Sequence, residues 1–455
     1  MAKGKYLILA AGEGKRMQTK LTKVLHTILG KPMLLYVTGM AQALGDGEGE
    51  VAVVVGKNAA AIREVTDVPT YLQEQQLGTG HAVMAAAAFL QGDLNANVVV
   101  LCGDTPLLRA ETIQALVAQH EREGNEATVM TVVPPDPTGY GRIVRDGTGH
   151  FLRNVEHRDA NEDERKITEI NTGVYCFRAG SLLEALPKLK NANDQNEYYL
   201  TDVPGLLVAD GRSVGVMIAD DFTECLGVNT KLQLAEAAAI MQKRINDAHM
   251  LSGVLIPDPR AAYIGPDVTI GMDTVVLPGC IIEGKTDIGA DCVIGPHTQM
   301  KNMTIGDNVT VQQSVALDSA VGDGTNIGPF AYIRPHSDIG KHVKVGDFVE
   351  VKNAKIGDGT KASHLTYIGD ADVGEGVNFG CGTVTVNYDG KNKARTAIAD
   401  GAFVGCNTNL IAPVSVGDHA YIAAGSTITE DVPAANLAIA RARQVNKNGW
   451  TDKRK

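Results

Sequence analysis

IGPDVTIGMDTVVLPGCIIEGKTDIGADCVIGPHTQM, residues 264–300, carries an aliphatic residue at every sixth position: Ile264, Ile270, Val276, Ile282, Ile288, Ile294 and Met300. A period of six is neither the 3.6 of a helix nor the 2 of an ordinary strand. It fits a coil with three flat sides, one aliphatic residue per side pointing inward and small residues at the corners, which is the hexapeptide β-helix. The series resumes as Val321, Ile327, Ile333, Ile339, Val345 and Val351, and again as Val404, Leu410, Val416, Ile422 and Ile428. Coils stacked at strand spacing, roughly 4.8 Å, make about ten coils a prism on the order of 50 Å tall. The period does not fix the hand. Register is lost around 305–320, and a larger break spans 385–400, TVNYDGKNKARTAIAD. Breaks in a solenoid map to loops on its faces, where binding concentrates.

Upstream the pattern is different. In residues 1–231, YLILA (6–10), EVAVVVG (50–56) and NVVVLCGD (97–104) are short β-branched runs. They alternate with helix-like stretches at 79–91 and 110–123. The rhythm predicts a parallel sheet covered on both faces, with ligands at the carboxyl ends of its strands. Residues 232–252 lack Gly and Pro and are rich in Ala, Leu, Gln and Glu, so they read as one linker helix. The expected organisation is 1–231 as an α/β domain, 232–252 as the linker and 253–455 as the β-helix.

Net charge −11 and a pI near 5.5 argue against a nucleic-acid or anionic-membrane partner. Seven scattered cysteines without a CxxC pair predict free thiols. With no signal-like start and no apolar run approaching the ~18 residues of a membrane span, the expectation is a cytoplasmic chain.

LAAGEGKRM (9–17) is a glycine turn after a strand, carrying Lys15 and Arg16, with Lys23 following in LTKVLH. Gly12 and Gly14 let backbone N–H groups approach an anion, although a tight turn with solvated cations is the alternative. QLGTGHA (76–82) puts a flexible turn where a base can lie. Asp104 in GD (103–104) is a metal ligand or a helix N-cap, and its place after a phosphate loop favours metal. LAAGxGxRM followed by KVL resembles the nucleotidyltransferases that join a sugar phosphate to a nucleoside triphosphate. With INTGVY (170–175), RPHSDIG (334–340), SHLTYIGD (363–370), NFGCGTVTVNYDG (378–390) and IAAGS (422–426), nearly the whole chain resembles one bacterial family. Its members are bifunctional N-acetylglucosamine-1-phosphate uridyltransferases and glucosamine-1-phosphate N-acetyltransferases.

The resemblance implies that Leu9, Ala10, Ala11 and Gly12 line the nucleotide. Gln73, Gln76, Gly78 and Thr79 hold uridine, and Gly103 also touches substrate. Gly141, Glu156 and Asn171 bind N-acetylglucosamine, while Asn229 and Asp104 ligate Mg²⁺. Arg16 and Lys23 spread charge as a sugar-phosphate oxygen attacks the α-phosphorus of UTP. Cys102 stands where the family commonly has an aromatic residue, and Thr22 where it often has Pro.

In the β-helix, His364 lies in KASHLTYIGD where the repeat is imperfect, with Tyr367, Asn378, Asn387, Tyr388 and Lys393 nearby. Arg334 and Lys352 are 18 residues apart, one full turn, so they stack (352 − 334 = 18). Stacked cations repel unless they share an anion, and a sugar phosphate is the expected one. The residues alone leave a purely structural β-helix open. The resemblance implies that His364 is the general base of acetyl transfer. It implies that Arg334, Lys352, Tyr367, Asn378 and Lys393 bind glucosamine-1-phosphate. Cys381, Asn387, Tyr388, Cys406, Ala424 and Arg441 fall at the coenzyme A positions, with Cys381 and Cys406 where the family often has Ala and Ser. It further implies a left-handed coil and a homotrimer.

Overall fold

The computed structural model describes residues 4–44, 50–57 and 59–452. The chain divides into two compact units, Met1–Met241 and Gln242–Lys455.

The first unit is built on a sheet in the order Val214–Ile218, Ala127–Val132, Ile170–Arg178, Asn97–Cys102, Lys5–Ala10, Glu50–Val55, Thr70–Leu72. Alternate residues of its central strands enter two separate apolar layers. Ile8, Val53 and Leu101 go to one, and Leu7, Val54 and Val100 to the other, so both faces are covered. The sheet is not wholly parallel as the sequence suggested. Ile170–Arg178 runs antiparallel to both neighbours. The chain reaches it through the hairpin Arg142–Arg145 and Phe151–Val155 rather than through a helical crossover, and only a crossover returns a strand parallel. The helix expected over 79–91 breaks at Ala86 into Thr79–Ala85 and Ala87–Leu90. The break turns Phe89 and Leu90 onto the sheet, and Lys5 Nζ donates to the Phe89 and Gln91 carbonyls at 2.7 and 3.3 Å.

The Gly- and Pro-free stretch forms the helix Lys231–Leu251. In the first unit, Leu234, Ala237, Ala238 and Met241 pack on Ile28, Met33, Leu107 and Val228. In the second, Asn246 Nδ2 donates to the Pro259 and Ala262 carbonyls at 2.7 and 2.9 Å.

The second unit is a parallel β-helix. Ile264 pairs with Ile282 and Ile282 with Met300, an 18-residue coil (282 − 264 = 18; 300 − 282 = 18). One side carries ten stacked strands. The six-residue series is the core: apart from the half-buried Ile270, every member of the three runs is buried. The coil continues through 305–320, where the sequence suggested lost register. Met300 pairs with Ala316 and Ile305 with Val321, so each coil there has 16 residues (316 − 300; 321 − 305), with steps of five replacing six. The later break is an insertion, since Val373 pairs with Ile398, 25 residues on (398 − 373). Corners are not reserved for small residues. Asp273, Asp291, His297, Asn302, Asn353 and Asp370 take positive φ there. Short polar side chains tolerate that backbone and bond to the next coil, as Asn302 Nδ2 does to Asp318 Oδ1 at 2.8 Å. The seven cysteines are unpaired. Among the described residues, no helix is long and apolar enough to cross a membrane.

Two candidate active sites

In the first unit, the loop after Lys5–Ala10 borders a cleft of about 750 Å³ at the carboxyl ends of the strands. Leu9, Ala10, Ala11, Gly12, Arg16, Lys23, Gln73, Gln76, Gly78, Thr79, Asp104 and Asn229 all line it. Gly14 has φ 65°, and a Cβ there would lie 2.6 Å from Lys23 Cβ, so this glycine lets the loop fold back on Lys23. Gly12 has no protein atom within 4 Å of a built Cβ, so its bare backbone faces open space. Gly103 stacks under the loop, its N–H donating to the Leu9 carbonyl at 2.9 Å.

At the far end of Lys23, the ammonium donates to Asp104 Oδ2 and, at 3.1 Å, to Asn229 Oδ1. Residues 81 and 206 positions from Lys23 in sequence thus meet on one cation (104 − 23; 229 − 23). Lys15 and Lys57 are both compensated by Glu13, at 3.2 and 3.0 Å, and their hydrogen bonds hold its carboxyl below the usual range. Arg16 stands exposed beside them. The Gln73 amide, almost fully buried, donates to the Gly78 carbonyl at 3.0 Å. Gln76 Nε2 is buried at the cleft wall with no partner among the described residues.

Gly141, Glu156 and Asn171 come together through the antiparallel hairpin. Asn171 N–H donates to the Gly141 carbonyl at 3.0 Å. Asn154 packs against Gly141 and donates to Glu156 Oε1 at 3.4 Å. Burial pushes the Glu156 carboxyl up, against hydrogen bonds from Asn154 and Thr201. Cys102 fills the space toward Gly173, and burial with nearby Asp104 pushes its thiol up to about 12.

In the second unit, Ile333 pairs with Val351, and Arg334 N–H donates to the Val351 carbonyl at 2.8 Å, so Arg334 stacks on Lys352. The expectation that these cations need a shared anion is corrected. Arg334 pairs with Glu350 at 2.8 Å and Lys352 with Asp370 at 3.5 Å. Asp370, only 5% exposed, also accepts from Asn353 and Asn387. Burial raises its carboxyl, yet these hydrogen bonds and Lys352 leave it below the usual range. Asn387 also reaches the Tyr367 hydroxyl at 3.5 Å.

His364 Nδ1 lies 2.7 Å from Asp347 Oδ1, one coil below in direct register. The contact holds the Asp347 carboxyl below the usual range. Asp347 escaped the sequence reading, as did Glu13, Glu350 and Asp370. The signal for Asp347 was the spacing, since 17 residues separate it from His364, one coil with a five-residue step (364 − 347). Continuing the registers Ala362–Phe379, Phe379–Val404 and Val404–Ile422 by two residues puts His364, Cys381, Cys406 and Ala424 in one column. Arg441 approaches Gly425 beside it. Tyr388 and Lys393 face each other across the inserted loop, and both are exposed. Asn378 is half-buried above Lys361. Among the described residues, neither Asn378 nor Lys393 makes a side-chain hydrogen bond to the Lys352–Asp370 cluster.

Comparison with known proteins agrees with this division. Residues 6–197 match the family model described as a MobA-like NTP transferase domain, and 318–353 match the bacterial transferase hexapeptide (six repeats). The coil is thus the left-handed β-helix of hexapeptide transferases. The chain is 54% identical to "Bifunctional protein GlmU" of Geobacillus thermodenitrificans (strain NG80-2), covering 100% of this chain and 98% of that one. It is 53% identical to the protein of the same name from Brevibacillus brevis (strain 47), with the same coverage. Against that of Clostridium acetobutylicum it is 52% identical over 98% of both chains. Two transferase units at this identity over the full length establish that the chain belongs to the bifunctional GlmU family.

Proposed function

We propose that the chain makes UDP-N-acetylglucosamine, a cell-wall precursor, by two transfers at two separate sites. The β-helix acetylates glucosamine-1-phosphate with acetyl-coenzyme A. The α/β unit then transfers UMP from UTP to the N-acetylglucosamine-1-phosphate formed, releasing pyrophosphate. The observation that carries this reading is that each unit has its own charged constellation: Lys23 on Asp104 and Asn229, and Asp347 on His364.

In the first site the donor set fits Mg²⁺. A carboxylate and an amide oxygen already converge on one cation, and oxygen ligands suit a hard divalent ion that keeps its remaining waters. Bound Mg²⁺ supplies charge neutralisation at the triphosphate. The residues do the positioning. Gly12 leaves room for phosphate against the backbone, and Arg16 and Lys23 draw negative charge off the α-phosphorus as the sugar-phosphate oxygen attacks in line. The unpartnered Gln76 amide, with Gln73, Gly78 and Thr79, takes the uracil. Gly141, Asn171 and Glu156 hold the sugar.

In the second site His364 donates Nδ1–H to Asp347, leaving Nε2 as the base. Nε2 removes a proton from the sugar amine as its nitrogen attacks the thioester carbonyl, and the coenzyme A thiolate leaves. Asp347 acts through His364 by fixing its ring. Arg334, Lys352, Tyr367, Asn378 and Lys393 hold the sugar phosphate. Arg334 and Lys352 exchange their carboxylate partners for phosphate or share them with it. Coenzyme A runs along Cys381, Cys406, Ala424 and Arg441, with Asn387 and Tyr388 flanking. A homotrimer completes these sites. It is supported by an exposed apolar strip, Phe330 stacked on Phe348 at 5.5 Å with Leu365 on the next coil, which a neighbouring prism covers. The substrates place the chain in the cytoplasm.

The test is a pair of variants. Asp104→Ala abolishes uridylyl transfer and leaves acetyl transfer intact, and His364→Ala does the reverse. Parallel loss of both activities in either folded variant overturns the separation of sites.

A further inference from the structure

Five of the seven thiols are shielded. Cys176, Cys225, Cys280 and Cys292 are buried, and burial raises each of them. Cys102 is half-buried and pushed up to about 12. Only Cys381 and Cys406 are exposed, and they are neighbours. Phe379 pairs with Val404, and two residues on, Asn407 N–H donates to the Cys381 carbonyl at 2.8 Å, so the register holds around the corner. Adjacent coils lie at strand spacing, about 4.8 Å, inside the ~4.4–6.8 Å that Cα atoms of a disulfide span. His364 occupies the same column one coil below Cys381.

We propose that Cys381 and Cys406 form a dithiol modification site on the acetyl-transfer corner that takes low-molecular-weight disulfides. One cysteine thiolate attacks a sulfur of RSSR, forming a mixed disulfide and expelling RS⁻, which takes up a proton. The second cysteine attacks the protein-bound sulfur, forming the Cys381–Cys406 bond and expelling the second RS⁻. Two protein thiols are oxidised, and one disulfide is reduced to two RSH. An exposed bridge of this kind is labile and reopens under a modest excess of thiol. It lies directly above His364 on the column where the thioester is to lie, so closing it stops acetyl transfer while the other unit continues. That consequence rests on the proposed acetyl-transfer site; the bond itself does not.

The experiment treats the full-length protein with coenzyme A disulfide or oxidised glutathione, followed by intact-mass and non-reducing peptide analysis. Acetyl transfer is measured before oxidation, so a protein lacking that activity is recognised at the start. The wild type is expected to lose two hydrogens and yield a linked Cys381–Cys406 peptide. Acetyl transfer falls in proportion to the bridged fraction, uridylyl transfer is retained, and dithiothreitol restores the loss. C381S and C406S each hold one unresolved mixed disulfide. Faster bridging by coenzyme A disulfide assigns delivery to the substrate's own thiol, and equal rates assign it to small disulfides generally. Persistent mixed disulfides on the wild type without the linked peptide overturn the pairing. A complete bridge with undiminished acetyl transfer overturns its control of the site.

Discussion

Gly12 and Gly14 stand two residues apart in one loop, yet the structure asks different things of them. At Gly14 an L-residue must hold φ 65°, which costs about 1–2 kcal/mol. The new Cβ would also lie 2.6 Å from Lys23 Cβ, about 1 Å inside normal carbon contact at ~3.5–4.0 Å. A Cβ is fixed by its backbone, so no rotamer change relieves that contact. The backbone at residue 14 or at Lys23 must shift, adding about 1 kcal/mol, the low end of the cost of overpacking. Gly14→Ala should therefore destabilise the loop locally by about 2–3 kcal/mol, a roughly 30- to 150-fold shift in its opening equilibrium. At Gly12 a Cβ meets nothing within 4 Å, and φ is not positive. Gly12→Ala should leave local stability within about 0.5 kcal/mol, while its methyl occupies the space assigned to phosphate. Hydrogen exchange at the Met17 and Leu25 amides, which donate to the Gly14 and Thr22 carbonyls at 2.9 Å, reads the loop. Uridylyl and acetyl transfer are assayed alongside. Gly12→Ala is expected to keep native protection and lose uridylyl transfer, and Gly14→Ala to lose both. Acetyl transfer is unchanged in each. Full uridylyl transfer by Gly12→Ala refutes the reasoning, as does equal loss of protection in the two variants.

Two more predictions concern single side chains. Asp347→Asn keeps an acceptor near His364 but removes the charge, so acetyl-transfer kcat should fall several-fold with little change in the KM for acetyl-coenzyme A. An unchanged kcat removes Asp347 from the mechanism. His120 is fully buried, and burial, with Arg178 nearby, depresses its imidazole from 6.5 to about 4. The unfolded chain binds that proton first, so the stabilisation is whole above pH 6.5 and lost as pH falls toward 4. The loss is about 3 kcal/mol between pH 7 and 4. Urea unfolding of the first unit should show that much more acid sensitivity in the wild type than in His120→Gln, and equal sensitivity contradicts the assignment.

What the sequence disclosed depended on the distance over which each feature is encoded. The six-residue period is local, so Ile264 to Met300 announced the coil and its inward face. The five-residue steps onto Ile305, Ala316 and Val321 were hidden because each shifts the phase by one residue and one of them lands on Ala in place of a larger aliphatic residue. The antiparallel strand Ile170–Arg178 was hidden because its direction follows from the connection, not from its own residues. LAAGEGKRM and the cleft were legible as a motif, whereas the meeting of Lys23, Asp104 and Asn229 on one ammonium was not, since no local pattern joins them. Counterions were the systematic omission. Glu13, Glu350 and Asp370 sit beside the cations expected to wait for a ligand. Each is an ordinary polar residue at a turn or side until folding brings it within reach.

The central claim, two transfers in sequence on one chain, is tested most directly by product analysis of a single incubation. The protein is supplied with glucosamine-1-phosphate, UTP and Mg²⁺, with and without acetyl-coenzyme A, and the nucleotide sugars are identified by mass spectrometry. UDP-N-acetylglucosamine that forms only with acetyl-coenzyme A is the predicted result. Its absence there, with formation restored by adding N-acetylglucosamine-1-phosphate directly, would contradict the account and leave the β-helix without its transfer.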